Sequence, residues 1–222
     1  MKTALIIGAS RGIGHEFVRQ LLADGWKVFA TARDAASLDM LKSEGALPLK
    51  LDVTKSESVA ALAWTLDGET LDLAVYVAGV FGNDAGAGQA PTDDVFDAVM
   101  HANVRGAMQV LPLVAPFVEA AKGKFAFITS GMGSISDAQS SMGWIYRASK
   151  AALNMAVHSA RHDYPLITLV TMNPGWVQTD MGGPGAPTSV HDSVAGMRRV
   201  IDRMTPSDSG SFQSYDGRKM DW

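Results

Sequence analysis

Apolar residues follow two alternating rhythms along this chain. Near-continuous runs rich in Val, Ile, Leu and Ala occupy residues 3–7, 26–31, 47–51, 71–77, 125–129 and 166–172. Such runs are expected of strands buried on both faces of a parallel sheet. Between them the apolar positions recur with helical spacing, first over residues 13–23. Helix-start signals precede three further stretches: Asp34 before residues 35–41, Thr54 before the stretch reaching Trp64, and Thr92 before residues 93–100. A final edge strand is expected over residues 211–215. Repeated β-α alternation predicts an α/β fold, a Rossmann-like doubly wound parallel sheet of about seven strands with helices on both faces. No linker or internal repeat interrupts the pattern, so residues 1–222 are expected to form one domain. Ligands of such sheets sit at the carboxyl ends of the strands, where the strand order reverses. The residues just after each strand are therefore the ones to read for chemistry.

Composition narrows the classes. The chain carries 19 Lys+Arg against 23 Asp+Glu, a formal charge of −4, with no basic run. That balance argues against nucleic acid or an anionic membrane as a partner. There is no cysteine, which excludes a disulfide framework, a thiolate metal site and a thiol nucleophile, and fits a cytoplasmic location. The most apolar stretch, residues 110–121, is too short to span a bilayer and contains Pro112 and Pro116. Met1-Lys2 before an apolar run imitates a signal peptide, but Gly8 and Arg11 break the run too early.

The first strand is followed by Gly8-Ala9-Ser10-Arg11-Gly12-Ile13-Gly14. Glycines at a strand-to-helix turn let the backbone approach a pyrophosphate, and the helix N-terminus beyond offers free N–H groups. Arg33 follows the second strand, where an acid would suit the ribose of NAD. An arginine there suits a 2′-phosphate, so NADP(H) is expected, with NAD(H) as the alternative; Arg11 is placed to reach the same phosphate.

Tyr146 and Lys150 stand four apart on an expected helix and share a face. A neighbouring ammonium should lower the tyrosine pKa from ~10 toward working pH and make Tyr146 a general acid/base. Tyr-x-x-x-Lys recurs at Tyr215 and Lys219, but across the turn signal Asp216-Gly217. His158 and His162 have a metal-compatible spacing without a third ligand nearby, and no metal site is expected.

Taken in order, the Gly8–Gly14 turn, Asp52-Val53, Ala78-Gly79, Asn103, Ser130, Tyr146 with Lys150, and Pro174-Gly175-Trp176-Val177-Gln178-Thr179-Asp180-Met181 resemble the short-chain dehydrogenase/reductase family over essentially the whole chain. Within it, the stretches at 128–135 and 146–154 and the ending Tyr215-Asp216-Gly217 to Trp222 are similar to the group of carbonyl reductases and the bacterial C-factor. The resemblance implies that Tyr146 protonates a substrate carbonyl, Lys150 holds the nicotinamide ribose, Ser130 binds the substrate oxygen and Asn103 positions a water of the proton relay. It also implies cofactor contacts from Gly8, Ser10, Arg11, Gly12, Ile13 and Gly14, adenine contacts from Asp52 and Val53, and close passage of Ala78 and Gly79. Pro174, Gly175, Val177 and Thr179 would line the nicotinamide. The family's frequent Asn-Asn before Ala78-Gly79 is replaced here by Tyr76-Val77, and its leading threonine by Ile7. The gap from Ser130 to Tyr146 is slightly long, which leaves Ser134 as an alternative to Ser130; Ser130 is preferred because it directly ends a strand.

The expected activity is that of an NADPH-dependent carbonyl reductase, reversible as an alcohol dehydrogenase, on a small-to-medium apolar ketone or aldehyde. Residues 131–143 would floor the substrate site, residues 181–192 would form a hinge-rich lid, and Met132, Met142 and Met181 are the candidate lining. The resemblance equally permits a signalling or NAD(P)-sensing protein with little turnover. Family members are often homodimers or homotetramers, with residues 103–121 and 144–164 as the expected contact faces.

Overall fold

The structure, a computed structural model, describes residues 1–82 and 86–222. Seven strands form one all-parallel sheet: β1 (Thr3–Ile7), β2 (Lys27–Ala32), β3 (Leu47–Lys50), β4 (Leu73–Tyr76), β5 (Lys124–Ile128), β6 (Thr168–Asn173) and β7 (Ser211–Ser214). Their order is β3-β2-β1-β4-β5-β6-β7, so the winding reverses between β1 and β4. The helices are α1 (Gly12–Ala23), α2 (Ala35–Ser43), α3 (Ser56–Thr65), α4 (Asp93–Met100), α5 (Gly106–Ala120), α6 (Trp144–Ala160) and α7 (Val190–Arg203). This is the Rossmann-like architecture expected.

Both faces of the sheet are apolar because alternate residues of each strand point to opposite sides. Leu5 and Ile7 join a core under α3, α5 and α6 with Val59, Leu62, Val110, Val114, Leu153 and Val157. Ala4 and Ile6 join the opposite core under α1, α2 and α7 with Phe17, Leu21, Leu41, Val194, Met197 and Ile201. Among the described residues no helix is long and apolar enough to cross a membrane.

Several boundaries differ from expectation for local reasons. Helix α3 starts after Lys55 without a side-chain cap, because Thr54 instead folds onto Asp52, donating both its N–H and its hydroxyl to that carboxylate. Asp34 and Thr92 cap α2 and α4 as read. Helix α5 runs through Pro112 and Pro116, and a wide turn of π-helix, His101–Arg105, joins it to α4. The expected lid ends early: Ser189 caps α7, so residues 190–192 are its first turn. Tyr215 and Lys219 lie in a turn beyond β7, where Lys219 pairs antiparallel with Gln213 and covers the sheet edge.

Candidate active site

At the carboxyl end of β1 the chain turns into α1 under tight steric control. Gly8 has φ +90°, and a Cβ there would lie 2.7 Å from the Ala78 nitrogen. On Gly14 a Cβ would lie 2.1 Å from the Gly8 carbonyl oxygen, so only glycine fits. Thr31 on β2 holds the turn from behind: its hydroxyl accepts from Gly8 N–H at 3.0 Å and its carbonyl from Ala9 N–H at 2.8 Å. The N-terminus of α1 has no side-chain cap and no acid in its first turn, leaving a positive helix end open to an anion. Ser10, Arg11, Gly12 and Ile13 all belong to this turn and helix start.

The second half of the site is made of buried side chains. Gly143, at φ +66°, begins α6 and lets Phe81 and the Met132 methyl approach to about 3.0 Å of where a Cβ would be. One turn in, Tyr146 and Lys150 are both buried, with the Lys150 ammonium 5.4 Å from the Tyr146 ring centre. The Ser130 hydroxyl lies beside the phenol, where it favours the charged form, and Phe81 packs on the ring with centroids 4.8 Å apart. Ser134, the alternative to Ser130, is buried elsewhere and bonds Ser136 and Asp137. Asn103 lies in the π-turn; its Oδ1 accepts from Val80 N–H at 2.8 Å, and its Nδ2 donates to the Val80 carbonyl and the Ser149 hydroxyl, both at 2.9 Å. Ser149 in turn donates to the Tyr146 carbonyl at 2.8 Å. A Cβ on Gly79 would sit 3.0 Å from Asn103 Oδ1 and 3.5 Å from Lys150 Nζ, so this glycine keeps the space before both open.

The electrostatics correct one expectation. Lys150 does not pull the tyrosine down: burial pushes the Tyr146 phenol up to about 12, and the hydrogen bond from Ser130 is what opposes it. Burial also takes the Lys150 ammonium down to about 8. Both groups are shut away from water, which favours the neutral form of each, and Lys150 Nζ donates to the Ile128 carbonyl at 2.9 Å.

The third part lies beyond β6. Asn173 accepts from Gly131 N–H at 2.9 Å and Gly175 N–H at 3.1 Å, tying the loop after Ser130 to the Pro174-Gly175 turn. Val177 is buried, and the Thr179 side chain would meet a Cβ on Gly12 at 3.3 Å, so this loop closes on the glycine turn. Residues 182–186 are stitched to the same loop: Trp176 Nε1 donates to the Gly182 carbonyl at 2.8 Å, Thr179 Oγ1 accepts from Gly182 N–H at 3.0 Å, and Gln178 donates to the Ala186 carbonyl at 3.0 Å.

The model of the short chain dehydrogenase family matches residues 2–188. This chain belongs to the short-chain dehydrogenase family. Among curated relatives, the 1-hydroxy-2-glutathionyl-2-methyl-3-butene dehydrogenase of Rhodococcus sp. (strain AD45) is 33% identical, with 100% of each chain covered. The C-signal protein of Myxococcus xanthus is 44% identical over 123 residues, 54% of this chain and 74% of that one. Among solved structures, the NADPH-bound carbonyl reductase from chicken fatty liver superposes with a TM-score of 0.91 at 31% identity, covering 100% of this chain and 99% of that one.

In this short-chain dehydrogenase, the two arginines read as phosphate ligands part company. Arg33 is exposed just after β2 and makes no ion pair among the described residues. Near it, Asp52 stays below the usual carboxylate range: burial disfavours its charge, but the Thr54 hydrogen bonds and the Arg33 charge outweigh that. Arg11 instead faces Asp180 at 2.8 Å, with both side chains largely exposed. A surface pair of this kind contributes roughly 0–1 kcal/mol and opens readily. Sequence reading missed Thr31, Phe81, Ser149 and Asn173. Ser149 stood inside the Tyr146–Lys150 segment and Asn173 directly before Pro174-Gly175, so their signal was adjacency alone; nothing marked Phe81.

Proposed function

We propose that this dehydrogenase is an NADPH-dependent carbonyl reductase, reversible as an alcohol dehydrogenase, for a small-to-medium apolar ketone or aldehyde. The observation that carries the reading is the buried Tyr146–Lys150 pair, with half-buried Ser130 beside the phenol and the space that Gly79 leaves free before Lys150. The residues present fit a dinucleotide: the glycine turn and uncapped α1 would take its pyrophosphate, Asp52 and Val53 its adenine, Arg33 a 2′-phosphate, and Pro174, Gly175, Val177 and Thr179 its nicotinamide end. When bound, the nicotinamide supplies or accepts a hydride. Tyr146 passes its phenolic proton to the substrate oxygen, and Ser130 donates a hydrogen bond to that same oxygen. Lys150 would hold the ribose, while Asn103 keeps the relay aligned.

Preference for NADP(H) is supported by unpaired Arg33 and by the NADPH-bound carbonyl reductase it resembles. An apolar substrate is supported by Phe81 beside Tyr146 and Met132 against the start of α6, with Met142 and Met181 exposed on the flanking loops. Exposed Met108 on α5 and Met155 on α6 support pairing of copies into a homodimer or homotetramer, and the lack of cysteine supports a cytoplasmic location.

A second reading, a C-factor-like signalling or NAD(P)-sensing protein, is favoured by the likeness to C-signal. Sensing needs no buried proton donor, which is why turnover is the preferred reading. Oxidation of NADPH and NADH, followed side by side over aryl ketones, alkyl ketones, aldehydes and sugars, separates the two. Turnover with aryl or alkyl carbonyls and NADPH is expected; NADPH binding without turnover on any carbonyl would favour sensing, and a preference for sugars would end the apolar assignment.

A further inference from the structure

Tyr76 ends β4 at a position where the resembled family often carries asparagine. Its ring is fully buried and stacks on Phe127 with centroids 5.9 Å apart. Its hydroxyl crosses to the helix layer and donates to the Ala102 carbonyl at 2.8 Å. Ala102 is the residue before Asn103 in the π-turn His101–Arg105, whose widened ladder runs from the Gly106 N–H back to the His101 carbonyl. A π-turn competes with ordinary α-helical winding, and slipping between the two re-aims every side chain in it. Room for the phenol is reserved as well: a Cβ on Gly106 would lie 2.5 Å from the Tyr76 oxygen and 3.0 Å from Val53. Burial holds the phenol far above its ordinary pKa, so it remains a donor throughout the working range.

We propose that Tyr76 is a positioning residue for the proton-transfer site. Its hydroxyl locks the register of the π-turn and thereby sets Asn103 against Val80 and Ser149. The chain of contacts then runs from Tyr76 through Ala102 and Asn103 to Ser149 and the carbonyl of Tyr146 itself. The proposal rests on the reading of Tyr146 as the proton donor for its kinetic consequence, but not for its geometric one.

Tyr76→Phe keeps the ring and its stack while deleting the bond to Ala102. It should lower kcat about 10-fold, since misplacements of an ångström in a catalytic constellation cost one to two orders of magnitude. The KM for NADPH should stay within about two-fold, because the glycine turn is untouched. In an Asn103→Ala background the same substitution should change kcat by less than about two-fold, the signature of two residues acting in series. Hydrogen exchange supplies a readout without turnover: the Val80 amide, which donates to Asn103, should exchange about 10-fold faster in Tyr76→Phe while the Ile6 amide in β1 is unchanged. Gly106→Ala, which attacks the same bond from the other side, should repeat the kcat loss if Tyr76→Phe folds poorly. Unchanged kcat with unchanged Val80 protection overturns the proposal, as does a full additive loss in the Asn103→Ala background. If the wild-type enzyme turns over no carbonyl, the functional reading fails by itself, and the Val80 exchange still decides whether Tyr76 positions Asn103.

Discussion

The two halves of the site hold their shape by different means. On the β1 side, the turn from Gly8 to Gly14 is fixed by backbone packed against backbone, so closely that one added methyl would lie 2.1 Å from a carbonyl oxygen. On the β5–α6 side, Tyr146, Ser149, Lys150 and Asn103 are side chains removed from water, and Asn103, Ser149 and the Tyr146 carbonyl are joined by hydrogen bonds. The first half resists change in volume, and the second resists loss of a polar partner. A binding surface for a charged dinucleotide needs main-chain donors at close range, whereas proton transfer needs titratable groups in a dry setting where burial can move their pKa values.

The largest expected effect separates chemistry from binding. Tyr146→Phe should lower kcat by roughly 10²–10⁴-fold, the usual worth of a general acid/base. NADPH affinity, measured by fluorescence titration, should hold within a few-fold; substantial residual turnover would break the assignment of Tyr146. Arg33→Asp probes the other half. It should move the NADPH-to-NADH preference by about 10–100-fold, the worth of one or two charge-assisted contacts, with kcat for the preferred cofactor little changed. An unchanged cofactor ratio would remove Arg33 from the phosphate site and leave the exposed Arg11 as the candidate.

A smaller effect tests the steric half directly. Gly14→Ala should cost about 1–3 kcal/mol of stability, as overpacking does, seen as a lowered Tm together with weaker NADPH binding. A variant with wild-type Tm and affinity would mean that the turn can yield.

A comparable effect is a pH dependence of stability arising in the dry half. Lys150 has its pKa lowered by burial to about 8 in the folded protein, against 10.5 when exposed. Below pH 8 both folded and unfolded forms carry the proton and the burial penalty is fully present. Between pH 8 and 10.5 the unfolded chain still binds it while the folded one releases it, so stability rises with pH. Tyr146 acts the opposite way above pH 10, since the folded phenol keeps its proton up to about 12. The Tm of wild type relative to Lys150→Met should therefore climb between pH 8 and 10; a flat difference would show that Lys150 is not desolvated.

Much of this was legible before any coordinate. Strands β1, β5 and β6 were recognisable as unbroken apolar runs, because strands buried on both faces leave no polar register to read. β1 lies where it was read, residues 3–7, while the ends of β5 and β6 shifted by a residue or two, since pairing with neighbours decides where a ladder stops. The weakest strand, β7, was legible as a short segment, but the antiparallel cover of its edge by Lys219 was not. Tyr146 and Lys150 could be placed on one helix face from their spacing. Their protonation could not be read the same way: spacing reports proximity, while solvent exclusion comes from tertiary packing such as Phe81 on the Tyr146 ring and the sheet behind Lys150. The ion pair of Arg11 with Asp180 could not be read, because the two stand 169 residues apart in sequence.

By itself, the amino-acid sequence determined the alternation of strand and helix, the glycines of the first turn and the pairing of Tyr146 with Lys150. Each follows from residues within a few positions of one another, where periodicity and chain geometry act. Tertiary structure decided which way the charges lean, which serine meets the phenol, and how a π-turn presents Asn103. Those depend on burial and on hydrogen bonds such as Tyr76 to Ala102, made between segments that meet only when the sheet assembles and water leaves.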